Sequence, residues 1–221
     1  MAAANFAKAA QAGMAATHAA EHLQDDAEAA LAEARALVPS APGKLVIGNA
    51  AAALLREAES DETTLVVVGS HGYRRTAAML LGTVALALLR DAPCSVLIAR
   101  DPTEPETWPR AVVVGVDGSR ESALAVTVAR EFADRFEASV RAVASTSDHF
   151  DAELARAIAP ELEEHSEGAV RALVAASESA DLVVMGSRGL HGLKALGSVS
   201  GRVAHQAQSS VLVVREAPHE P

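Results

Sequence analysis

Cysteine is almost missing from the 221 residues: Cys94 stands alone, so no disulfide can close within the chain. A reducing, cytoplasmic setting is the expectation. Aromatics make up only 3%, with one Trp, one Tyr and four Phe, too few for the stacking platforms of a single-strand nucleic-acid binder. Basic residues are outnumbered, 19 Lys and Arg against 29 Asp and Glu, which leaves a net charge of −10. That field repels a polyphosphate backbone, so nucleic acid is not an expected partner. No apolar run reaches the ~18 residues of a membrane-spanning helix, so no membrane partner is expected. The alanine-rich start has no basic opening or leucine-rich centre, and Lys8 interrupts it; it reads as a helix rather than an export signal. What remains is 50% hydrophobic and 22% charged, a balance that buries a core and is not that of a disordered chain.

The chain repeats itself. LVVVGSHG at 65–72 returns as LVVMGSRG at 182–189, GTV at 82–84 as GSV at 197–199, and SVLIAR at 95–100 as SVLVVR at 210–215. The order is the same each time, so a domain-sized unit is duplicated rather than a short solenoid repeat. The boundary falls in DPTEPETWPR at 101–110, whose three prolines and acidic residues suit a linker. The expected division is a module over 1–104 and a second over 105–221. Leu65–Val68, Val96–Ala99, Val112–Val116, Leu182–Met185 and Val211–Val214 are short continuous apolar runs, as in parallel strands buried on both faces. Helical periods lie between them. Leu124, Val128, Phe132 and Phe136 recur at i+4 after Asp117-Gly118-Ser119, with Ser119 or Ser122 available as the cap. Alternating strands and helices imply α/β architecture with a parallel sheet.

Both Gly-x-x-Gly turns directly follow a strand, at the carboxyl edge where open parallel sheets bind ligands. Glycine lets backbone N–H groups approach an anion closely. The later Gly-Thr or Gly-Ser pair opens a helix, whose free N–H groups and dipole favour a phosphate. Tight strand-to-helix turns alone would also account for such glycines. The pattern is neither a Walker A loop nor the dinucleotide Gly-x-Gly-x-x-Gly.

Gly69-x2-Gly72-x9-Gly82-Thr83 resembles the ATP-binding signature of the universal stress protein family, GVDGS at 115–119 its first strand and loop, and APCSVLIAR at 92–100 its last strand. The resemblance implies two tandem modules built on an open parallel sheet of order 3-2-1-4-5 with helices on both faces. It also implies pairing through the last strands, either within the chain or in a homodimer. In module two it implies that Asp117 sits beside the adenosine and that the Val143 backbone meets the base. Gly186, Arg188 and Gly189 then form the first phosphate turn, and Gly197, Ser198, Val199 and Ser200 the second. In module one only the phosphate half maps: Gly69, His71, Gly72, Gly82, Thr83 and Val84. The implied ligand is ATP, with or without Mg2+; ADP and AMP-like ligands stay open.

Two departures stand out. Module one has no first strand, helix or second strand; its earliest strand is expected at Leu45–Ile47, as a third strand, with residues 14–38 as the preceding helix. Its first site then lacks the base-and-ribose half, and its sheet lacks a central strand. Module one is therefore expected to be truncated. In module two, the stretch 160–168 has almost no β-branched residues, which leaves the third strand in doubt, and the loop LHGLKAL has seven residues where module one has nine.

Competing chemistry is thin. HAAEH at 18–22 matches a zinc pattern on a helix, but without a clear third ligand it reads as a surface helix. Lys194 reads as solvated, His205 and Cys94 as packing residues, and no Gly-x-Ser-x-Gly elbow is present. Fast ATP hydrolysis needs a metal clamp and a group that orients water, and the one mapped acid, Asp117, lies at the base end. The expectation is a stress-response regulator that binds ATP and hydrolyses it slowly at most, with no catalytic or metal-ligating residue. The alternatives are a scaffold of the same fold without nucleotide and an adenylating enzyme of the related nucleotide α-hydrolase fold.

Overall fold

The computed structural model describes residues 24–59, 63–70, 81–102, 105–146, 150–187 and 199–216. The chain divides into two compact units, Met1–Gly48 and Asn49–Pro221. In the first, residues 24–37 form helix α1, and Arg35 Nη2 donates to Gly43 O at 2.9 Å across the turn that follows. The strand expected at Leu45–Ile47 is corrected: these residues join no sheet and are 40%, 41% and 86% exposed. A strand exists only through its ladder, and among the described residues no strand pairs with these.

The second unit is built on one sheet. Its strands are β1 (Leu65–Gly69), β2 (Ser95–Ala99), β3 (Ala111–Gly115), β4 (Ser139–Ser145), β5 (Leu162–His165), β6 (Leu182–Gly186) and β7 (Ser210–Val214). Their spatial order is β1-β2-β7-β6-β3-β4-β5. Module two supplies β3 to β7, and within it the expected order 3-2-1-4-5 holds. The whole differs in detail from a parallel sheet per module. Module one adds β1 and β2 to the same seven-stranded sheet, and β2 meets β7 antiparallel, with Leu97 opposite Leu212. The last strands therefore pair within the chain, and both are interior: β2 lies between β1 and β7, and β7 between β2 and β6.

Helices cover both faces. α2 (Ala50–Ala58), α3 (Thr83–Asp91), α6 (Ala169–Ala176) and α7 (Val199–Gln206) pack with Ile98, Val113, Val143 and Val183. α4 (Arg120–Phe136) and α5 (Ala152–Ile158) pack with Val112, Val114, Leu182 and Val184 on the other. α4 buries Ala125, Val126, Ala129 and Ala133, small residues that let it lie close to the strands. It ends at Glu137, a non-glycine residue at φ 55°. Left-handed backbone is costly for a residue with a Cβ, so Glu137→Gly is expected to gain about 0.5–1 kcal/mol, read as a higher melting temperature.

The two sheet edges differ. β5 is short and charged: Glu163 meets Arg141 at 3.1 Å and Glu164 meets Arg156 at 2.9 Å. That is how an exposed edge is kept from pairing with another chain. Its ladder to β4, Ala142↔Leu162 through Ser145↔His165, resolves the doubt over the third strand. β1 carries no charge. Its repeat counterpart β6 has Leu182 and Val184 both at 0% exposure, whereas Leu65 is 38% and Val67 55% exposed. In β6 that face is covered by α4; among the described residues of module one no helix covers it in the same way.

Candidate functional site

β3 is the switch point of module two. From β3 the chain crosses by α4 to β4 on one side, and α6 later returns it to β6 on the other. Diverging crossovers leave a crevice at the carboxyl ends of β3 and β6. Four residues line up there by backbone logic. Gly115 closes β3, and Val116 N–H donates to Val143 O at 2.9 Å, which extends the ladder beyond the strand. Val143 itself is buried at 1%. Its carbonyl already has this partner. Asp117 then leaves the sheet.

Asp117 is held by its own turn. Its Oδ1 accepts Ser119 N–H at 3.0 Å and also the Ser119 hydroxyl. Ser119 in turn caps α4, its Oγ accepting Ser122 N–H at 3.2 Å, with Glu121 in the first helical turn. Gly118 sits at φ +87°, and a Cβ there would lie 2.8 Å from Asp151 O, so this position requires glycine. Asp151 was not singled out by the sequence reading. Its N–H donates to Asp117 O at 3.2 Å, and its carboxylate caps α5 by accepting Leu154 N–H at 3.1 Å. The Asp-Ala-Glu start of α5 is a helix-cap signal that could have found it.

Across the crevice, Gly186 ends β6, and Ser187 N–H donates to Val214 O at 3.0 Å. A Cβ at Gly186 would lie 2.4 Å from Glu121 O, in the first turn of α4. Helix packing alone thus demands this glycine, whatever binds beyond it. α7 begins at Val199, which is 36% exposed, followed by buried Ser200. Asp117 and Asp151 stand together on the β3–α5 side, while Glu121 of α4 packs against Gly186. An anion is repelled by the Asp117 and Asp151 pair and favoured at the start of α7. Arg188, Gly189, Gly197 and Ser198 lie outside the described residues, as do Lys194, His18 and His22.

Module one repeats the β6 end of this arrangement. Gly69 ends β1, Ser70 N–H donates to Ala99 O at 2.9 Å, and Gly82 N–H donates to Ser70 O at 2.9 Å. Gly82 caps α3 without a side-chain hydrogen bond, and Thr83 and Val84 form the first turn. Gly82 therefore offers no side chain of its own to the first N–H groups of α3. His71 and Gly72 lie outside the described residues. Among the described residues β1 has no neighbour on its outer side, so this half of the crevice has no described counterpart of Asp117 on a neighbouring strand. Cys94 is buried at 2%, and burial raises its thiol above the ordinary value, in keeping with a packing role. Among the described residues no helix is long and apolar enough to cross a membrane.

Comparison with known proteins agrees with this architecture. The profile of the Universal stress protein family matches residues 2–100 and 153–215. The chain belongs to the universal stress protein family. A universal stress protein of Mycobacterium tuberculosis is 34% identical over 228 residues, covering 89% of this chain and 76% of that protein. One of Mycobacterium bovis is 35% identical over 188 residues, covering 72% of this chain and 64% of its own length; the chain thus spans less than two thirds of that relative. A crystal structure of a universal stress protein from Archaeoglobus fulgidus superposes with a TM-score of 0.71 at 22% identity, covering 90% of this chain and 80% of that one. That likeness is one of fold.

Proposed function

We propose that this universal stress protein binds an adenine nucleotide in module two and regulates a partner through its occupancy, hydrolysing ATP slowly at most. The observation that carries this reading is the position of Asp117 and Gly186 at the carboxyl ends of the neighbouring strands β3 and β6, where the crossovers diverge. In this reading the Asp117 carboxylate takes the ribose and base end. The phosphates lie toward Gly186 and the first turn of α7, away from Asp117 and Asp151. A micromolar ligand needs about 8 kcal/mol, and a helix end supplies roughly 0.3–2 kcal/mol per anionic group. Several backbone donors must therefore converge. Mg2+, where present, would neutralise phosphate charge; nothing in this reading requires it for binding. A cytoplasmic location belongs to the same proposal.

Freshly purified protein, denatured and analysed by chromatography, is expected to release close to one adenine nucleotide per chain. Asp117→Asn is expected to weaken both ATP and adenosine by about 10- to 100-fold, the value of one charged hydrogen bond. Inorganic triphosphate is expected to be unaffected. One observation favours a second reading, a scaffold without nucleotide: the packing of α4 explains Gly186 with no ligand. That reading expects empty protein and no rise in melting temperature with ATP.

A further inference from the structure

The two last strands end in the same pattern, Ser-Val-Leu-x-x-Arg, and in the antiparallel β2–β7 pair the two ends meet reciprocally. Ser95 Oγ accepts Arg215 N–H at 3.1 Å, and Ser210 Oγ accepts Arg100 N–H at 3.1 Å. The guanidinium groups then cross between modules. Arg100, directly after β2, donates to Ala204 O at 2.7 Å, at the carboxyl end of α7 in module two, and to Ser209 O at 3.3 Å, just before β7. Arg215, following β7, donates to Leu89 O and Ala92 O, at the carboxyl end of α3 in module one. Arg215 is 9% exposed. Burial lowers the pKa of both arginines, which stay charged because a guanidinium does not lose its proton in the working pH range.

Each arginine thus satisfies the orphan carbonyls of one helix while standing on the other module. In the reading proposed above, the amino ends of these two helices, Thr83 and Val199, are where the phosphates of the two modules would lie. A helix is a stiff rod, so fixing its carboxyl end fixes where its amino end presents its N–H groups. We infer that Arg100 is a positioning residue for the nucleotide site of module two, reaching it from module one through α7, and that Arg215 holds α3 in the opposite direction. The nucleotide part rests on the reading under Proposed function. It makes the module-two site dependent on module one, and by linkage a phosphate bound at α7 tightens the β2–β7 junction in return.

The test uses the full chain with Arg100→Gln, Arg100→Lys and Arg215→Gln. Calorimetric titration of Arg100→Gln with ATP is expected to give a Kd raised about tenfold. Arg100→Lys should recover part of the loss, and adenosine, which has no phosphate, should bind within twofold of wild type. Arg215→Gln should leave the ATP Kd within twofold. Hydrogen exchange gives the second readout: Arg100→Gln should accelerate exchange in α7 and not in α3, and Arg215→Gln the reverse. An unchanged ATP Kd in Arg100→Gln, or an equal loss for adenosine, overturns the inference. A wild-type chain that binds no nucleotide defeats the nucleotide reading, and exchange then decides the arginine crossing alone. Equal acceleration in both helices by either variant overturns it.

Discussion

Gly186→Ala is expected to destabilise the second unit by about 3 kcal/mol and to lower its melting temperature by roughly 6–12 °C. The added Cβ would sit 2.4 Å from Glu121 O and 2.5 Å from the same carbonyl carbon. The obstacle is backbone, in the first turn of a 17-residue helix, so relief requires moving α4 off β6. α4 packs across β3, β4, β6 and β7, and lifting it would also disturb the Ser119 cap and the Asp117 turn that rests on it. Gly115→Ala is the control. Its Cβ would meet Leu173 Cδ1 at 3.1 Å, the end of a flexible side chain that can give by a few tenths of an ångström, so a loss of about 1 kcal/mol is expected. Denaturation of both variants with and without ATP separates packing from ligand: the Gly186→Ala loss should persist in protein freed of nucleotide. Equal losses in the two variants would show that Gly186 is not held by α4.

The second large effect compares the two copies of one strand. Val184→Lys is expected to leave the second unit unfolded, whereas Val67→Lys should cost less than about 1 kcal/mol. Val184 and Val67 occupy the same place in LVVMG and LVVVG. Val184 is 0% exposed beneath α4, and Val67 is 55% exposed on an outer strand. A lysine at Val184 would bury an unpaired charge, at a cost of several kcal/mol against a total stability of about 5–15 kcal/mol. At Val67 the ammonium reaches water, and lysine is a residue that natural edge strands use. Circular dichroism and chemical denaturation give both answers. A severe loss for Val67→Lys would mean that the open face of β1 is covered in solution.

These contrasts show what the sequence could carry. The duplication made the sheet legible because buried parallel strands announce themselves as short apolar runs, and LVVVG, SVLIA, AVVVG, LVVMG and SVLVV are all strands. β5 was doubtful for the opposite reason. LEEH is an edge strand, held by backbone bonds to β4 and shielded by charge, and such a strand needs no apolar run. Leu45–Ile47 misled in the reverse sense, an apolar triplet that pairs with no strand among the described residues. At the candidate site, Asp117-Gly118-Ser119 was legible because its spacing encodes a local turn and a helix cap. The bond from Asp151 to Asp117, the pressure of Glu121 on Gly186 and the crossing of Arg100 and Arg215 were not. Each joins segments more than 30 residues apart and exists only once the sheet has formed.

The central claim is that nucleotide enters the crevice between β3 and β6. Amide chemical shifts of the 15N-labelled chain, followed during titration with Mg·ATP, test it most directly. The account predicts saturable shifts at Val116–Ser119, Gly186, Ser187 and Val199–Gly201, with the β5 edge unmoved. Saturable shifts confined to other surfaces, or no shifts at millimolar ATP in protein freed of bound nucleotide, would contradict it.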